Sequence, residues 1–80
     1  MPRPPDACVA LIRQTADYLC RNHTTFPDGR VTHLAATAPV REAAQQLDAA
    51  ALAGDVTATK GACRTLILTW KRLLTEKEHA

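Results

Sequence analysis

Cys20 and His23 stand one helical turn apart in Leu19-Cys20-Arg21-Asn22-His23, a spacing at which a thiolate and an imidazole can share one metal ion. Cys63 or His33 would have to complete such a zinc site in three dimensions. The same residue types can form a nucleophile and its base, but no third group that would orient the base is evident. The chain has neither a CxxC nor an HxxxH pair. Cys8, Cys20 and Cys63 all fall on or near apolar stripes, where free cysteine serves as a small hydrophobe. The expectation is therefore three core cysteines, no metal and no cofactor. His33, in a connector, and His79, beside the last residue, are expected to be solvated.

Other chemistries are harder still to assemble. No serine occurs anywhere, which removes serine hydrolases and carriers that attach a phosphopantetheine arm to serine. Gly29, Gly54 and Gly61 are scattered, so neither a P-loop nor a dinucleotide fingerprint can be built. The eight Asp and Glu residues lie on expected polar faces or in turns, with no pair marked as acid and base. The expected function is non-enzymatic.

These side chains must be positioned by one small domain. Eighty residues lie near the lower limit for a single hydrophobic core, and fifteen of the apolar residues are alanine. A core that thin supplies about 3–5 kcal/mol, and such chains often add a disulfide, a metal or a partner subunit. A partner subunit is the addition expected here. The net charge of +2 is mild, so nucleic-acid binding would need a local basic patch. No apolar run approaches the roughly 20 residues that cross a bilayer. The opening Met1–Cys20 is broken by Asp6, Arg13 and Asp17 and makes a poor signal peptide, so a cytoplasmic protein with reduced thiols is expected. Arginine outnumbers lysine seven to three and alanine is abundant, as in bacterial genomes rich in G and C.

The periodicity predicts an all-α fold, a small antiparallel bundle of three long helices plus one short connecting helix. After a tail over 1–5, a first helix over 6–23 carries the inward stripe Cys8, Ile12, Ala16, Leu19 and His23, with Asp6 as its cap. Leu11 and Tyr18 lie on the flank of that stripe. Pro27-Asp28-Gly29 makes a turn, Phe26 is expected to plug the end of the bundle, and 24–38 form a loop with a short helical segment. A second long helix over 39–53 has the stripe Val40, Ala44, Leu47 and Ala51, widened by Ala43 and Ala50, and Gly54 ends it. Asp55 caps a third over 55–77 with the inward seam Val56, Thr59, Cys63, Leu66, Ile67, Trp70, Leu73 and Leu74.

Leu68 does not belong to that seam, sitting about 140° around the helix from Cys63. Gly61 and Arg72 neighbour it, Lys60, Arg64, Lys71 and Thr75 fill the arc back to the core, and no acidic residue appears before Glu76. An apolar anchor rimmed by positive charge is a candidate partner surface formed by Lys60, Gly61, Arg64, Leu68, Lys71 and Arg72. A solvated face with one incidental leucine is the competing reading. Counting Leu11, Tyr18 and Cys20, the first helix has an apolar arc roughly 200° wide, more than one neighbour covers. Leu11 and Tyr18 are accordingly candidate dimer contacts. The expected function is a small protein-interaction module (an adaptor, regulator or accessory subunit) that binds another protein, a second copy of itself, or both. The alternatives are a nucleic-acid-binding regulator using the basic strip and a metal- or thiol-dependent site at Cys20, His23 and Cys63.

Overall fold

Four helices follow one another: α1 (Asp6–Thr25), α2 (Arg30–Ala35), α3 (Ala38–Leu52) and α4 (Val56–His79). The computed structural model describes the backbone of residues 4–25 and 30–79 and the side chains of residues 4–22 and 33–74. No strand occurs among them, and the expected all-α arrangement of three long helices and a short one is the architecture observed. The 26–29 turn, the Phe26 plug and the side chains of His23, Thr75 and His79 lie outside the described residues.

Pro5, rather than Asp6, takes the cap position of α1, because the Val9 N–H donates to the Pro5 carbonyl at 3.1 Å. Asp6 opens the first turn instead, where its charge favours the positive end of the helix dipole. Cys8 and Thr15 are buried, and Leu11, Ile12, Tyr18 and Leu19 are half-buried against the core. Ala16, expected inward, is exposed, and Thr15 takes its place. Burial of Thr15 leaves no polar group unsatisfied, since its hydroxyl donates to the Leu11 carbonyl at 3.0 Å.

Leu34 of α2 is buried, while His33 and Ala35 are exposed. Thr37 separates α2 from α3. Its hydroxyl and its N–H both donate to the Leu34 carbonyl, at 2.7 and 3.0 Å, and its extended backbone redirects the chain. Pro39 then sits in the first turn of α3, where a missing N–H costs nothing. Val40, Ala43, Leu47 and Ala51 face inward; Ala44, expected on the stripe, is half-buried beside Ala43. The small alanine side chains admit α4 closely.

Between α3 and α4 the turn is closed by backbone hydrogen bonds. Gly54 adopts φ 75°. Its N–H reaches the Ala51 carbonyl at 3.0 Å, and that of Asp55 reaches the Ala50 carbonyl at 3.3 Å, which is a Schellman closure. Asp55 also caps α4, its Oδ1 accepting from the Ala58 N–H at 2.9 Å.

Thr59, Cys63, Leu66, Trp70 and Leu74 of α4 are buried, with Ile67 and Leu73 half-buried. Val56, expected to begin this seam, is 41% exposed. Thr59 Oγ1 lies 3.3 Å from Cys8 Sγ, Cys63 Sγ 3.7 Å from the Leu11 carbonyl, and Lys71 Nζ 5.7 Å from the Tyr18 ring centroid. Residue numbers rise together along the two helices, so α1 and α4 run parallel, and Val56 falls level with Pro5 at the head of α1. Consecutive long helices are antiparallel, and the bundle is up-down-up. The molecule measures 41 × 20 × 19 Å. Among the described residues no helix is long and apolar enough to cross a membrane.

Candidate functional site in the groove between α1 and α4

Residue 61 is a glycine with nothing within 4 Å of the place a Cβ would occupy, and the three residues on either side of it on α4 include the two cations Lys60 and Arg64. One further turn along, Leu68 is 59% exposed, the most solvated large apolar side chain of α4. Lys60, Arg64 and Leu68 recur every four residues and so share one edge of the helix. That edge faces α1.

A groove of about 290 Å³ runs between the two helices, lined by Leu11, Gln14 and Thr15 of α1 and by Lys60, Cys63, Arg64, Ile67 and Leu68 of α4. Cys63 is buried beneath it, its thiol directed at the Leu11 carbonyl. Leu11 and Ile67 are half-buried, so the floor is apolar yet reachable. Lys60 and Arg64 rim it, and among the described residues no carboxylate lines it. Asp6 belongs to a separate hollow on the outer face of α1, with Val9, Ala10 and Arg13.

The residues of the expected partner surface are thus divided. Lys60, Arg64 and Leu68 converge on the groove. Gly61, Lys71 and Arg72 are exposed outside its lining, and Lys71 lies over the Tyr18 ring, where ring and cation attract. Of the two expected dimer contacts, Leu11 lines the groove, whereas Tyr18 is half-buried against the core and beneath Lys71. Gln14, Thr15 and Ile67 join the site without having been singled out for it. The 3.6-residue period places them on flanks, but which flank meets which helix is a property of the bundle.

Among the described residues, cysteine and histidine are not gathered. Cys8 and Cys63 are buried thiols, and Cys20, expected with them in the core, is an exposed one. Cys63 meets α1 at Leu11, and Cys20 lies nine residues further along, about 13 Å at the helical rise. One ion cannot bridge them. The His23 side chain lies outside the described residues, among which no three His, Cys, Asp or Glu side chains come together.

Trp70 is 1% exposed, and its indole N–H has no partner among the described residues. The chain matches no family model, no curated protein and no solved structure, so its site is read on its own chemistry.

Proposed function

We propose that this chain is a non-enzymatic protein-interaction module, an adaptor, regulator or accessory subunit that uses the α1/α4 groove to hold another protein. The observation that supports it most is the coincidence of exposed Leu68 with an apolar floor and a cationic rim in one groove. An anchor set in a pocket and ringed by polar groups is the usual anatomy of a binding hot spot.

Self-association is the second form of this reading, with Leu11 as the dimer contact still open at the surface. Capture from a lysate by wild type, compared with Leu68→Glu, tests the surface. Sedimentation at tens of micromolar tests the second copy. Capture unchanged by Leu68→Glu, together with a strict monomer, removes the proposal. The nucleic-acid alternative is supported by four exposed cations on α4, namely Lys60, Arg64, Lys71 and Arg72. Their phosphate contacts would make affinity fall steeply with salt. Fluorescence anisotropy with random duplex DNA at low salt, showing no binding, ends it.

A further inference from the structure

We infer that the occupant of the α1/α4 groove is an acidic amphipathic helix of a partner protein, lying antiparallel to α1 and α4; this rests on the interaction-module reading above. The helical form follows from the fold. In an up-down-up bundle the first and last long helices are parallel neighbours, and the groove between them is where the fourth member of a four-helix bundle would lie. A fourth helix running antiparallel to both opposes their dipoles and places its own side chains between their ridges. From Lys60 to Leu68 the groove extends about 12 Å, two turns of such a helix. Two apolar side chains a turn apart would rest on Leu11, Ile67 and Leu68.

Charge decides the chemistry of the flank. Lys60 and Arg64 stand one turn apart on the same rim, and no carboxylate among the described residues lines the groove. Two Asp or Glu residues at i and i+4 on the partner match that spacing, while a basic or neutral helix leaves the rim unanswered. A second copy fits poorly. Antiparallel two-fold packing of this face on itself, α4 over α4, sets cationic rim against cationic rim. Elsewhere among the described residues the exposed large apolar side chains are Leu52 and Val56. Asp48 and Leu52 share a face of α3, but they offer a single anchor accompanied by Arg41.

The test is NMR titration of the isotopically labelled full chain with a synthetic helical peptide carrying two leucines a turn apart, flanked by glutamates. A peptide with lysines in place of the glutamates is the control. The expected result is movement of the amides around Leu11, Cys63, Ile67 and Leu68 by the glutamate peptide alone. Leu68→Glu abolishes it. Lys60→Glu combined with Arg64→Glu weakens the glutamate peptide by about tenfold and admits the lysine peptide, as expected when two screened rim pairs become repulsions. All these positions are exposed, and far-UV circular dichroism verifies that each variant is folded. No shifts at millimolar peptide, equal binding of both peptides, or shifts mapping elsewhere overturn the inference. So do the same shifts produced by raising protein concentration alone, which identify a second copy, or produced more strongly by duplex DNA. Should the peptide fail while lysate capture remains sensitive to Leu68→Glu, the occupant is wrong and the module reading stands; loss of both removes both.

Discussion

Replacing Gly54 and Gly61 in turn by alanine should move stability in opposite directions. Gly54 has φ 75°, a conformation that costs an L-residue roughly 1–2 kcal/mol. An added Cβ would meet only the Pro5 ring, Cγ at 3.7 Å and Cδ at 3.8 Å, ordinary contacts, so sterics add nothing. Alanine also restricts the unfolded chain, which returns about 0.4–1 kcal/mol. The net loss for Gly54→Ala is about 1 kcal/mol. Gly61 is different: it lies inside α4, exposed, with open space around it. Its carbonyl still accepts the Thr65 hydroxyl at 3.0 Å, a contact alanine preserves. Gly61→Ala should therefore gain close to the full helix-propensity difference, about 0.8–1 kcal/mol. For a domain this size each kcal/mol moves Tm by about 4–8 °C, so the two variants should melt about 8–16 °C apart. Thermal and urea melts followed by far-UV circular dichroism measure this directly. A Gly54→Ala protein as stable as wild type, or a Gly61→Ala protein less stable, would refute the assignment of one glycine to a left-handed closure and the other to an exposed helix interior. Lysate capture by the stabilised Gly61→Ala protein then asks whether a partner needs close approach at residue 61.

Thiol alkylation of the native protein, located by mass spectrometry, should label Cys20 fast and Cys8 and Cys63 only on unfolding, because burial decides access; early labelling of either buried thiol contradicts the packing of α1 on α4. Asp55→Ala should cost about 1 kcal/mol by removing the cap on the Ala58 N–H, whereas Asp55→Asn should stay close to wild type in the same urea melts, since asparagine caps equally well.

Much of the architecture was legible in the chain because its causes are local. A cap needs an acceptor three residues from a free N–H, as at Asp55. A left-handed closure needs a residue without a Cβ, as at Gly54, and an amphipathic helix needs apolar residues every three or four positions. These signals located the three long helices to within two residues, placed the short one only somewhere within 24–38, and set Leu68 outside the α4 seam. They did not settle which flank faces which neighbour. Thr15 displaces Ala16 from the core and Cys20 turns to solvent because α4 approaches α1 from the Leu11 side. Val56, on the seam by periodicity, stays 41% exposed at the head of α4. The groove itself belongs wholly to the tertiary structure. Leu11 and Ile67 lie 56 positions apart in the chain, and only the parallel register of the first and last helices makes them walls of one site.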